Sequence, residues 1–297
     1  MPARYSGRFA PPPSGSLHFG SLIAAVASYA EARSRGGTWL LRIEDIDPPR
    51  VVAGADDDIF RTLEAYGLHW DRAIAYQSQR FDAYHTALHR LRELGVIYPC
   101  ACSRREIADS VVDGIEGAIY PGTCREHPMS GKCARALRII TQGIRIAFED
   151  ALQGKIEQDL ERAVGDFIIY RRDRVFAYQL AVVVDDAEQD ITDVVRGADL
   201  LDSTPRQIYL QRLLGFGTPR YMHVPVAIDK NGEKLSKQTL AMPVDAKNPA
   251  PALFAALRFL GQQPPAELAK TDIATLWRWV IENWRSDRLP RLQRIAV

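Results

Sequence analysis

Net charge is almost absent from this chain. Its 38 basic and 37 acidic side chains leave a formal charge of +1. That excludes a cationic coat able to hold a nucleic-acid duplex by charge alone, though it leaves room for a local basic patch. No run of 18 apolar residues occurs, so no membrane-spanning helix is expected. The start, Met1-Pro-Ala-Arg-Tyr5, lacks the apolar region of a signal peptide. A cytoplasmic protein without a membrane partner is the expectation. Repeats and low-complexity segments are missing. Lysine is scarce: seven, against 31 arginines, and three of the seven (Lys230, Lys234, Lys237) fall within eight residues. Cysteine is scarce too, and all four lie between Cys100 and Cys133. In a reducing compartment such a cluster reads as metal binding before disulfides.

What is present is ordinary globular material. The 297 residues are 46% hydrophobic and 25% charged, which excludes wholesale disorder and suffices for a core without disulfides. About 150 residues per domain gives roughly two domains. Arg4 to Ala10 reads as a strand stopped by Pro11-Pro12-Pro13-Ser14-Gly15. The alanine-rich run Leu22 to Ala32 reads as a helix, and Trp39 to Ile43 as a buried strand. Strand, glycine-containing loop, helix and strand make a βαβ unit. Ala53 to Tyr66 and Arg80 to Leu94 read as helices, the second from the spacing of Phe81, Tyr84, Leu88 and Leu91. Ile139 to Phe148 and Phe167 to Val184 read as strands, Asp202 to Leu214 as a helix and Met222 to Ile228 as a strand. Asn231-Gly232 reads as a turn. Ala250 to Leu260 and Thr271 to Trp284 read as helices, and the basic end Arg285 to Arg294 as a frayed helix.

Two stretches carry chemistry. In Arg8-Phe-Ala-Pro-Pro-Pro-Ser-Gly-Ser-Leu-His18-Phe-Gly20-Ser21 a strand delivers a histidine and a glycine to a helix N-terminus. Free N–H groups and a partial positive charge there suit a phosphate. Gly20 lets a nucleotide lie close to the backbone, and His18 can donate to a phosphate during displacement. In Glu233-Lys234-Leu-Ser236-Lys237 two lysines form a cationic loop that can neutralise a departing pyrophosphate. Either stretch alone is weak: a helix start with an incidental histidine, or a solvated loop.

Together, about 215 residues apart, they resemble the class I aminoacyl-tRNA synthetases. His18-Phe-Gly20-Ser21 stands at the "HIGH" position and Lys234-Leu-Ser236-Lys237 at the "KMSKS" position. Arg8-Phe-Ala-Pro and Leu41-Arg42-Ile43-Glu44-Asp45-Ile46-Asp47 narrow the resemblance to the glutamyl branch, and within it to the short glutamyl-Q family. Ser21 departs from the final histidine of the general signature; small or polar residues there are familiar in the glutamyl branch. The resemblance covers most of residues 4 to 240. It implies an α/β fold: a Rossmann-like parallel sheet with an inserted zinc-bearing, acceptor-binding-type subdomain and a small C-terminal helical segment. The implied division is 1–97 and 166–240 for the two halves of the catalytic domain, 98–165 for the insertion and 241–297 for the tail.

The resemblance implies His18, Gly20, Lys234 and Lys237 as catalytic residues. ATP, carried with Mg²⁺, would meet His18, Gly20, Ser21, Ser236 and Lys237. Glutamate would meet Arg8, Ala10, Pro12, Glu44, Tyr178 and Arg196. The chemistry agrees, since two carboxylates ask for guanidinium forks and an ammonium asks for an acid. Spacing alone offers Cys100, Cys102, Cys124 and Cys133 to zinc, with His127 as a substitute. The resemblance implies instead Cys100, Cys102, Tyr120 and Cys124, with Cys133 spare; four protein ligands make such a zinc structural. His85 with His89, and Trp277, Trp279 and Trp284, read as a solvated helix face and as tail packing.

Only 60 residues follow Lys237, too few for the helical anticodon-binding region of a discrete glutamyl-tRNA synthetase. The resemblance therefore implies an enzyme that activates L-glutamate with ATP and loads it onto queuosine, the wobble base of tRNA(Asp); a monomer is the expectation. Three other readings compete: a truncated synthetase charging the tRNA 3′ end, a non-catalytic tRNA-binding protein, and a ligase acylating a small molecule.

Overall fold

The computed structural model describes residues 4–103, 106–107, 113–114, 117–127, 136–230, 232–233, 235 and 242–297. Asn231, Lys234, Ser236, Lys237 and Cys133 lie outside the described residues.

The chain opens with β1 (Ser6–Phe9), α1 (Phe19–Ser34), β2 (Thr38–Ile43), α2 (Ala55–Ala65), β3 (Ala75–Tyr76) and α3 (Phe81–Glu93). Strands β1, β2 and β3 pair in parallel in that order, which is the expected βαβ unit. The cysteine-bearing stretch follows, with β4 (Ile97–Cys100), β5 (Asp113–Gly114), β6 (Gly117–Ala118), α4 (Thr123–Glu126) and β7 (Ala136–Ile139). Next come β8 (Arg145–Asp150), β9 (Gly154–Asp159), α5 (Leu160–Ala163) and β10 (Ile168–Tyr170). The chain then adds α6 (Tyr178–Glu188), β11 (Asp193–Gly197), α7 (Thr204–Leu214), β12 (Arg220–Val224) and β13 (Val226–Ile228). It ends with α8 (Pro249–Phe259), α9 (Ile273–Asn283) and β14 (Arg294–Ala296).

Strand β11 runs beside β1, where the Thr192 N–H donates to the Ser6 carbonyl. It pairs in parallel with β12, and β12 with β8. Two apolar clusters cover the two faces. One joins α1 to α2, α8 and α9; the other joins α3, α6 and α7. Helix α1 is buried at ten of its sixteen positions, including Ala25 through Ala32 without a break. A helix apolar all round must be covered all round, and α8 and α9 cover the side away from the sheet. Its one buried acid, Glu31, is satisfied by Arg35, the Trp284 indole and the Ser286 hydroxyl.

Four local expectations are corrected. Phe167 to Val184 is not all strand: β10 ends at Tyr170, and Tyr178 begins helix α6. Leu180-Ala-Val-Val-Val184 is buried at every position because α6 is wedged between α3, α7 and the core. Full burial erases the helical period, and the valines then read as β. Ile139 to Phe148 divides at a turn through Thr141 and Gly143, and Met222 to Ile228 divides at Pro225. The basic end is not a frayed helix: Arg294–Ala296 pairs in parallel with β13. The stretch 98–165 does not stay with one sheet. Strands β4 and β7 pair with each other and β7 with β10, whereas the β8–β9 hairpin extends the sheet of β12.

Candidate active site and cysteine cluster

A cavity of about 1300 Å³ opens at the C-terminal ends of β1, β2, β11 and β12, where ligands bind in open parallel α/β sheets. Arg8, Ala10, Pro12, His18, Gly20, Ser21, Glu44, Tyr178 and Arg196 all line it. Every site residue expected from the nucleotide and glutamate motifs and lying among the described residues is therefore in one place.

The floor on the helix side is the start of α1. His18 is its N-cap, and its Nδ1 accepts from the Ser21 N–H at 3.3 Å. The Ser21 hydroxyl accepts in return from the His18 N–H at 3.4 Å. This reciprocal capping box gives Ser21 a structural task of its own. With Nδ1 accepting, the imidazole proton sits on Nε2, the donor form a phosphate requires. A Cβ on Gly20 would stand 3.0 Å from the Leu235 carbonyl oxygen. Leu235 also donates its N–H to Ala227. The middle of the lysine motif thus rests against the glycine of the histidine motif, although its two lysines lie outside the described residues.

The next wall is a buried charge network. Arg8 donates through Nε and Nη2 to the two oxygens of Asp186, at 3.1 and 3.3 Å. Arg42, fully buried, donates to the same carboxylate at 2.8 Å and to Glu44 at 3.3 Å. Asp185, also fully buried, accepts from Gln77, Arg80 and Tyr84. Burial, working against the nearby Arg42 and Arg8, pushes Glu44 up to about 7. Burial opposes the charge of Asp186 as well, but Arg8 and Arg42 hold it below the usual carboxylate range.

Arg196 forms the opposite wall from the end of β11. Its Nε donates to His223 Nε2 at 3.0 Å, and its Nη2 donates to Thr204 Oγ1 and Gln207 Oε1, both at 2.8 Å. Its Nη1 faces the Tyr178 hydroxyl at 3.4 Å. His223 is closed off behind it by Asp150, 2.6 Å from Nδ1, with both side chains wholly buried.

Away from the cavity, Cys100, Cys102 and Cys124 bring their sulfurs within 4.8 Å of one another. Cys102 and Cys124 are 3.5 Å apart, and the Tyr120 oxygen lies 3.6 Å from Cys102. A tetrahedral zinc with bonds of about 2.3 Å holds its sulfurs about 3.8 Å apart, so the set fits one ion closely. The Tyr120 oxygen accepts from the Cys124 N–H at 2.7 Å. Arg138 places its guanidinium 3.9 Å over the Tyr120 ring and donates to Cys100 at 3.3 Å. That buried cation would offset the surplus negative charge of these thiolates if they held a metal. His127 is exposed and outside the cluster.

Sequence reasoning passed over Asp186, Asp150, His223 and the burial of Arg42. A faint signal existed, because Arg42 and the Asp185-Asp186 pair interrupt or end apolar runs, where an unpaired charge could not be buried. Of the signals set aside, His85 and His89 are exposed on α3. Trp277 and Trp284 are buried, with their indole N–H groups on Tyr66 and Glu31.

Residues 5–272 match the family of class I tRNA synthetases (E and Q), catalytic domain. The glutamyl-Q tRNA(Asp) synthetase of Dechloromonas aromatica is 56% identical, over 100% of this chain and 99% of its own length. That of Aromatoleum aromaticum is 55% identical, over 97% of this chain and 91% of its own. Among solved structures, the glutamate–tRNA synthetase of Elizabethkingia anophelis superposes with a TM-score of 0.77 at 22% identity, covering 99% of this chain and 68% of that one. The last likeness speaks for the fold. Family match and near-full-length identity together place the chain in the class I glutamyl and glutaminyl tRNA synthetase family, among its glutamyl-Q tRNA(Asp) synthetases.

Proposed function

We propose that this protein activates L-glutamate with ATP as glutamyl-adenylate and transfers the glutamyl group to queuosine at the wobble position of tRNA(Asp). The observation that carries the reading is the single cavity joining the capped start of α1, the Leu235 segment, Glu44 and two arginines. The relatives at 55 and 56% identity carry the name of this activity.

ATP, with its Mg²⁺, lies across His18 and Gly20. His18 donates from Nε2 to a phosphate oxygen, and the α1 N-terminus adds its partial positive charge. Glutamate binds between the walls. Its ammonium pairs with Glu44, and Arg8 and Arg196 take its carboxylates, with the Tyr178 hydroxyl beside Arg196. Ala10 and Pro12 shape the floor. The α-carboxylate attacks the α-phosphorus, the bond to the bridging oxygen breaks, and pyrophosphate leaves with the electron pair. Lys234 and Lys237, flanking the anchored Leu235, neutralise the departing charge. A cyclopentenediol hydroxyl of queuosine then attacks the acyl carbon, and AMP leaves.

Cys100, Cys102, Tyr120 and Cys124 would hold a zinc ion whose contribution is structural, tying β4 to α4. One zinc per chain by elemental analysis, lost in Cys124→Ser, is the expected outcome.

The deciding test of function is transfer of labelled glutamate, with ATP and Mg²⁺, to tRNA from queuosine-proficient and queuosine-lacking cells. Label confined to the first pool, on an anticodon-loop fragment, is expected. Equal label in both pools at the terminal adenosine would establish 3′-end charging instead.

A further inference from the structure

Behind Arg196 lies a buried pair that no step above uses. Strands β8, β12 and β11 are neighbours, and each contributes one member: Asp150, His223 and Arg196. Arg196 and His223 are register partners across β11 and β12. We propose that Asp150, acting through His223, is a positioning pair that fixes the direction of the Arg196 guanidinium for the substrate carboxylate. The inference rests on the proposed role of Arg196 in glutamate binding.

The hydrogen-bond roles leave one arrangement. Arg196 Nε can only donate, so His223 Nε2 must accept at 3.0 Å. The imidazole proton is then on Nδ1, directed at Asp150 Oδ2 at 2.6 Å. Asp150 Oδ1 is occupied separately, accepting from the Leu152 and Gln153 N–H groups at 3.0 and 2.9 Å and from the His223 N–H at 3.2 Å. One carboxylate oxygen therefore anchors the backbone and the other sets the tautomer. A protonated imidazole would oppose donor to donor and cation to cation. Burial first, and the Arg196 charge after it, pull His223 down to about 4 against the opposing effect of its hydrogen bond to Asp150.

Arg196 is thereby oriented without being neutralised. Nε is held by His223, Nη2 by Thr204 and Gln207, and Nη1 turns to Tyr178 on the cavity wall. These four partner side chains carry no charge in this state. A carboxylate at the position of His223 Nε2 would hold the guanidinium as well, but it would cancel the charge that an anionic substrate needs. The imidazole transmits direction and leaves the charge intact.

Asp150→Asn is the sharp test. The backbone N–H groups keep an oxygen at Oδ1, so the new NH₂ falls opposite His223 Nδ1. The imidazole must then accept at Nδ1 and carry its proton on Nε2, against Arg196 Nε–H. ATP–pyrophosphate exchange would be measured over ranges of glutamate and of ATP, with thermal midpoints recorded. The expected result is a rise in glutamate KM of about 100-fold, the scale of a misplaced binding group, with ATP KM within about twofold. His223→Gln, which retains a donor and an acceptor, should lose less than His223→Leu, and this pair decides the matter if Asp150→Asn does not fold. Glutamate KM unchanged in these variants, or ATP KM rising equally, overturns the positioning role. Arg196→Ala separates the two ideas. If it raises glutamate KM while Asp150→Asn does not, the inference fails alone; if it leaves glutamate KM unchanged, the binding reading fails and the inference with it.

Discussion

Arg8 and Arg196 face the same cavity, one held by a carboxylate and the other by neutral groups. Arg8 shares Asp186 with the fully buried Arg42, which also meets Glu44 and Asp185. Arg196 is held by an imidazole, a hydroxyl and an amide. On the Arg8 wall the two guanidiniums are matched by Asp186, Glu44 and Asp185, and this internal pairing is part of the fold. The Arg196 wall keeps its charge for whatever enters. The difference teaches that two like side chains on one cavity can be held in opposite ways: one by a carboxylate that offsets its charge, the other by neutral groups that leave the charge intact.

The comparison breaks hardest at Asp186. Removing that charge leaves Arg8 without its carboxylate and Arg42 with Glu44 and Asp185 alone, and Asp186→Asn should cost stability of about 3–5 kcal/mol, read from the urea midpoint. Removal of Arg8 alone should cost far less, because Arg42 still neutralises Asp186. On the other wall the large effect should be on binding. Arg196→Ala is expected to raise glutamate KM by at least about 100-fold, from lost charge-assisted hydrogen bonds and newly unpaired buried partners, with ATP KM little changed. Arg196→Lys should not restore it, since an ammonium cannot satisfy the fork that His223, Thr204 and Gln207 surround.

Glu44 sharpens the comparison through pH. Burial pushes it up to about 7, and only its ionised form pairs with an ammonium. Glutamate KM should therefore rise as pH falls below 7, by about tenfold per unit, and level off above. Glu44→Gln should flatten that profile at a high KM; a profile unchanged by the substitution would remove Glu44 from the site. The smallest expected effect is at Ser21. Ser21→Ala opens the capping box and should cost about 1 kcal/mol, measurable as a small drop in thermal midpoint.

Much of this site was legible before any fold was known. His18 and Gly20 announced themselves because a strand, a proline-rich stop and a helix start are local events. The cysteines announced themselves by confinement to one stretch. Tyr120 was reached by resemblance, since spacing alone favoured four sulfurs. The helix Tyr178–Glu188 reads as a strand because Leu180 through Asp186 are buried without a break, which leaves no polar face to set its period. Asp150 and His223 went unnoticed because a buried acid beside a buried histidine looks, along the chain, like any surface pair.

The sequence by itself determined the chemical inventory: a histidine and a glycine at a helix start, a lysine loop, an acid and two arginines within matched motifs, and a confined group of thiols. These follow from residue type and short spacing, which covalent geometry preserves. The tertiary structure alone decided what each charge is paired with. Arg8 meets Asp186 across 178 residues, and His223 meets Asp150 across 73. Such contacts are selected by which strands lie side by side, and no local pattern records that choice.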